Sequence, residues 1–159
     1  MSAPDGPIRC TGCRLLIVGG TAGCLALYQD TLVLPGTLPA YTGIGRLAFD
    51  TYCVQHPDRY CISAKSLVAH LGGLCYGLEY RRDRGGYELL RRALDGPFPV
   101  PKPPLPAMRG ALTIADIAAA PAGAAQPEAI RDWAQQAWDA YADLHAWARA
   151  HVHAALARH

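Results

Sequence analysis

A chain of 159 residues has room for one domain with a real core and is too short for two ordinary ones. It is 51% hydrophobic and 18% charged, which excludes a wholly disordered chain. Lys and Arg total 15 against 13 Asp and Glu, a net charge of +2, so nucleic acid is not an expected partner.

The densest basic cluster, Arg81, Arg82 and Arg84 beside Asp83, reads as a solvated helix end. No stretch reaches the ~18 apolar residues of a membrane span. The apolar run from Leu15 is about five residues, short of a signal peptide's core. The expected location is the cytoplasm, with no membrane partner. Thiols stay reduced there, so the six cysteines are read as metal ligands, buried core thiols or a redox pair, not as a disulfide framework.

Gly and Pro punctuate the first twenty residues, which read as a knuckle or hairpin around Leu15 to Val18. A helix is predicted from Ala22 to Val33 with Thr21 as its N-cap, closed by Pro35 and Gly36, with a loop around Pro39. A second runs from Ile44 to His56, where Pro57 stops it. Ser63 caps a third, to about Tyr80, in which Leu67, His70, Leu71, Leu74, Cys75 and Leu78 follow i, i+3, i+4, i+7 spacing. Gly72, Gly73 and Gly77 inside it point to close helix approach or a ligand. A short helix covers Gly86 to Leu94 and ends at Gly96.

Six prolines between Pro97 and Pro106 exclude regular helix or central strand and give an extended strap. Thr113 caps a brief helix to Ala119, with Asp116 at the capping-box position. After an Ala-, Pro- and Gly-containing linker, the longest predicted helix runs from Pro127 to Leu156. Its aromatic stripe, Trp133, Trp138 and Tyr141, is assigned to packing, with Trp138 and Tyr141 against the proline strap.

The fold class is therefore mostly α. One domain over residues 1–159 comprises a knuckle (1–24), a helical core (25–96), the strap (97–112) and C-terminal helices (113–159). About four main helices form an irregular bundle.

Chemistry concentrates in two sets. Cys10 and Cys13, separated by Thr11 and Gly12, can place two thiolates on one ion, and Cys24 adds a third. The fourth ligand of such a site is His56 or His70, or another of the cysteines, with Cys61 as a spare. Zinc is the metal this pattern favours; a redox dithiol or incidental thiols are the other readings. The second set is His56, His70 and His145, each on a separate predicted helix, with Asp50, Tyr52, Gln55 and Glu79 as orienting partners. Cys53 and Cys75 read as core thiols, and His151, His153 and His159 as exposed.

The chain resembles an uncharacterised, mainly actinobacterial family of unknown function, family 5946. The resemblance rests on Cys10, Cys13 and the helix-opening Cys24, on Phe49-Asp50-Thr51-Tyr52-Cys53-Val54-Gln55-His56-Pro57, and on Ser66-Leu67-Val68-Ala69-His70-Leu71. It continues through Gly110 to Ile117 and the helix carrying Trp133, Trp138, His145 and Arg149. It implies that the cysteine trio, Asp50, Gln55, His56, His70 and His145 belong to one design. Arg14 stands where the family pattern has glycine.

The functional expectation is a zinc protein acting on a small molecule, with His56, His70, His145, Asp50 and Tyr52 as acid–base candidates. The alternatives are an adaptor with a structural zinc, docking through the strap and exposed aromatics, and a thiol redox protein using Cys10 and Cys13.

Overall fold

The computed structural model describes residues 6–33, 43–121 and 125–158. The Pro35-Gly36 stop, the Pro39 loop and His159 lie outside them. Strands β1 (Pro7–Arg9) and β2 (Leu16–Val18) pair antiparallel, with Ile8 opposite Ile17. Between them the Cys10–Cys13 turn is closed by Cys10 N–H to Leu15 O at 2.8 Å and Arg14 N–H to Cys10 O at 3.0 Å. Arg14 sits at φ 67°, in the left-handed region that favours glycine.

Helix α1 (Gly20–Tyr28) continues through a π turn to Val33. Thr21 is not its cap. Gly19 occupies that position at φ 82°, and Thr21 Oγ1 instead accepts Thr11 N–H at 3.0 Å, fastening the knuckle to the first turn of α1.

Helix α2 (Gly43–Gln55) is the centre of the bundle. Leu47, Ala48, Thr51, Tyr52, Cys53 and Val54 are all buried, so it is covered nearly all round. The short α3 (Pro57–Tyr60) follows at once, with Pro57 at its first position. The third predicted helix forms as α4 (Ala64–Leu67), a π turn (Val68–Gly72) and α5 (Gly73–Glu79). Ser63 caps it as expected: Ser63 Oγ accepts Ser66 N–H at 3.1 Å, and Ser63 N–H donates to Ser66 Oγ at 2.9 Å. The π turn carries His70 and delivers Gly73 against the Asp50 carboxylate, where a Cβ would collide. Helix α6 (Arg84–Ala93) is capped by Asp83, whose Oδ1 accepts Gly86 N–H at 2.8 Å.

Residues 94–113 contain no strand or helix. They pass between the knuckle and the C-terminal helices. Arg109 donates to Gly12 O at 3.0 Å, and Leu112 N–H donates to Gln136 Oε1 at 3.1 Å. Helix α7 (Ile114–Ala119) has the anticipated capping box, with Thr113 N–H to Asp116 Oδ2 at 2.8 Å.

The long C-terminal helix divides at Tyr141. Helix α8 (Ala125–Ala140) and α9 (His145–Leu156) flank a 3-10 turn at Ala142–Leu144. Two side chains favour the break. Tyr141 reaches inward to donate to Val54 O at 2.6 Å, and His145 stacks on Trp138 at 3.8 Å while bonding Trp138 O at 2.8 Å. Trp133, Trp138 and Tyr141 are buried, in keeping with their packing role. Trp138 stacks on His145, with Arg149 over its ring at 5.7 Å.

Gln55 joins three of these parts. Its amide donates to Arg109 O and Leu112 O, both at 2.9 Å, and its Oε1 accepts Trp133 Nε1–H at 2.9 Å. Gln55→Ala strands two carbonyls and an indole N–H in the core, at a cost of about 3 kcal/mol or more. Urea denaturation of parent and variant measures this. A loss below about 1 kcal/mol would show that the strap does not depend on that amide.

Candidate metal centre

Pro57 disfavours the α conformation for the residue before it. His56 accordingly leaves α2 at φ −124°, ψ 56°, and its own N–H bonds back to Cys53 O at 3.1 Å. The Tyr52 carbonyl, which a continuing helix would have given to that N–H, accepts His56 Nδ1–H at 2.7 Å instead. This bond fixes the tautomer and leaves Nε2 with its lone pair facing the knuckle. Tyr52 stacks on the imidazole at 4.0 Å and Tyr28 on Tyr52 at 4.0 Å, so the ring is held on its face as well.

Three sulfurs meet that nitrogen. Cys10 Sγ lies 3.4 Å and Cys24 Sγ 3.5 Å from His56 Nε2, and Cys13 Sγ lies 3.7 Å from Cys24 Sγ. The four ligand atoms lie within 4.8 Å of one another, and all four residues are buried. A tetrahedral ion with Zn–S of ~2.3 Å and Zn–N of ~2.0–2.1 Å requires S···S near about 3.8 Å and S···N near about 3.6 Å. The three separations given, 3.4, 3.5 and 3.7 Å, match those spacings. Cys10, Cys13, Cys24 and His56 could hold a metal ion.

Gly12 makes the approach possible. A Cβ there would collide with the His56 ring and come within 2.8 Å of Gln55 O. Tyr52 O–H points at Cys24 Sγ from 3.8 Å, a donor that favours a thiolate.

Without a metal the cluster shares its protons unevenly. The hydrogen bond from Cys24, with help from His56, pulls the Cys13 thiol down to about 4. Cys24 is pushed well above the usual thiol range because it donates to Cys13 and is buried. Burial, with the neighbouring Cys24, likewise raises Tyr52.

The other three cysteines are different. Cys53, Cys61 and Cys75 are fully buried, and burial raises each, Cys61 and Cys75 to about 12. They are neutral core thiols at pH 7. Cys61 donates to Cys53 O at 3.7 Å and is not part of the metal cluster, so it is not a spare ligand.

The histidine set divides. His56 belongs to the cysteine cluster and His145 to Trp138. His70 is not a member of the cluster; its Nδ1 lies 3.0 Å from Asp50 Oδ1. At 3.6 residues per turn, Asp50 projects about 200° around α2 from Tyr52, so the metal cluster and the Asp50–His70 pair occupy opposite sides of one helix. Arg46 Nε donates to the other carboxylate oxygen of the buried Asp50 at 2.8 Å. Burial works against the Arg46 charge and Asp50 more than offsets it, holding Arg46 above its ordinary range. Glu79, expected to orient an imidazole, pairs with Arg149 at 2.6 Å. His151 is half-buried against Trp147 and Phe98, not exposed, and burial lowers its pKa.

His70 lines a cavity of about 930 Å³ together with Arg46, Phe49, Tyr87, Arg84 and Arg91. Apart from Phe49, which entered as part of a motif, and the solvated Arg84, these wall residues carried no signal in the sequence. Arg46 and Asp50 do stand at i, i+4, the spacing of a helical ion pair.

Residues 8–142 match the model of a family described as a family of unknown function (DUF5946). The chain belongs to that family. No curated protein and no solved structure matches it. The matched span contains all four cluster residues, Asp50 and His70, and ends before His145. Among the described residues no helix is long and apolar enough to cross a membrane.

Metal affinity of the centre should fall with pH. The ligands bind as thiolates, so the ion must displace the proton that the Cys13–Cys24 pair retains on Cys24. Competition with a chelator of known affinity is expected to show Zn²⁺ binding weakening by at least about tenfold from pH 8 to pH 7. A pH-independent affinity would contradict this.

Proposed function

We propose that this chain is a cytoplasmic zinc protein in which Cys10, Cys13, Cys24 and His56 hold one structural Zn²⁺, and that it acts on a small molecule at the Asp50–His70 pocket. The observation that carries the first part is the spacing of the four buried ligand atoms. Three thiolates and an imidazole suit a borderline-soft, redox-inert ion with no geometric demand beyond the tetrahedron. Four protein ligands leave no open position, which marks a structural metal. Its task is to tie the β1–β2 knuckle and α1 to the end of α2.

Acid–base work then falls to the other side of α2. Asp50 engages His70 Nδ1, leaving Nε2 as the atom that exchanges a proton with a bound molecule. This is the arrangement by which a carboxylate orients a catalytic imidazole. Of the acid–base candidates, His56 and Tyr52 serve the metal in this reading, and His145 holds the α8–α9 break.

Trp133, Trp138 and Tyr141 are buried, so an adaptor would have to dock through other aromatics such as the exposed Tyr80. The redox alternative has to account for Cys24 and His56 lying as close to the pair as metal ligands would.

Elemental analysis of protein purified without a histidine tag should give about one zinc per chain, and less than about 0.2 would sink the assignment. Replacing Cys10 and Cys13 together by Ser should abolish cooperative thermal unfolding, as loss of a structural zinc does. A double variant that melts like the parent would place the metal outside the fold's support.

A further inference from the structure

The cavity beside His70 is built around a fixed cation. The Arg46 guanidinium lies 5.6 Å from the Phe49 ring centroid and 5.4 Å from that of Tyr87. Its Nε is bonded to Asp50 and its Nη2 faces Ala69 O at 3.4 Å. The Nε–H and one N–H of Nη2 are therefore committed to the protein, and Nη1, which bonds no other group among the described residues, offers both of its N–H donors to a molecule in the cavity. Two aromatic rings and a buried carboxylate hold this group in place, so presenting it costs little side-chain entropy.

The rest of the wall adds positive charge and apolar surface. Lys65 and Arg84 line the same space, where Arg91 is paired with Glu88 and, at 3.7 Å, with Asp95. Glu88 is itself neutralised, by Arg91 at 2.7 Å and Arg92 at 3.4 Å. Phe49, Leu90 and Leu94 supply the apolar part of the lining. A cationic anchor beside an apolar wall selects a molecule that is anionic at one end and hydrophobic along its body.

We propose that this cavity binds a small organic carboxylate, its headgroup on Arg46 Nη1 and its apolar body along Phe49, Leu90 and Leu94. The proposal rests on the preceding reading only in taking this pocket as the site of chemistry; binding itself requires no turnover. It places atoms adjacent to the carboxylate within the neighbourhood of His70, so the substrate class is an organic acid on which a proton is moved near the acid group.

The test uses the 159-residue chain loaded with zinc, with 2-naphthoate as probe and the neutral 2-naphthamide as its near-isosteric control. Calorimetry should show naphthoate binding at least about tenfold more tightly than the amide. Amide chemical-shift changes should centre on Phe49, Ala69, His70 and Tyr87. Arg46→Gln should weaken naphthoate binding about tenfold or more, and Arg46→Lys should recover part of it.

Because Arg46→Gln leaves Asp50 without one partner, the double variant Arg46→Gln, Asp50→Asn removes both charges and keeps the test valid if the single variant unfolds. Equal affinity for the two probes, no naphthoate binding, shift changes centred elsewhere, or parent-like naphthoate affinity in the folded double variant would each overturn the proposal. Naphthoate binding without turnover of any organic acid would count against His70 as an acid–base group and leave the carboxylate site standing. Failure of naphthoate to bind would remove the site and leave the His70–Asp50 pair and the metal centre untouched.

Discussion

Pro57 cannot follow a helical residue comfortably, and the end of α2 is shaped by that constraint. His56 turns out of the helix, its N–H retreats to Cys53, and the freed Tyr52 carbonyl takes the imidazole Nδ1–H. The result is a nitrogen lone pair held at a fixed point beyond the helix end. Three sulfurs from a β-turn and a neighbouring helix close around it. Cys10 and His56 are 46 positions apart, so a metal there closes a long loop and restricts the unfolded chain as well as the folded one.

The knuckle can reach this point only because several weaker features agree. Gly12 has no side chain to strike His56 or Gln55. Thr21 and Thr11 bind the knuckle to α1, and Arg109 binds it to the proline strap. Gln55, one residue before His56, ties the same strap and Trp133 to the end of α2. The Cys3His cluster and the hydrophobic core thus meet at two adjacent residues. The opposite side of α2 is left to Arg46, Phe49 and Asp50, where a buried carboxylate organises a cation and an imidazole at the wall of a cavity.

Local chemistry made the caps and stops legible. Ser63, Thr113 with Asp116, and Pro57 act through neighbours within a few residues, and the structure places each where that chemistry requires. The Cys-x-x-Cys spacing and the third cysteine marked a ligand set for the same reason. The choice between His56 and His70 was not legible, because it depends on which side of α2 each packs against. The break at Tyr141 has no glycine or proline to announce it; it comes from a buried hydroxyl reaching Val54 and an imidazole stacking on Trp138. Thr21 has the composition of an N-cap, but its hydroxyl is taken by Thr11, a partner set by the hairpin register. The wall around His70 is likewise a tertiary product, since Arg46, Tyr87 and His70 come from three separate segments.

A zinc held by Cys10, Cys13, Cys24 and His56 is defined by the identity and number of atoms bonded to it. X-ray absorption at the zinc edge of the purified, untagged protein reads both directly. Three sulfur scatterers near ~2.3 Å and one nitrogen near ~2.0–2.1 Å are predicted. A shell of four sulfurs, or one dominated by nitrogen and oxygen, would contradict it.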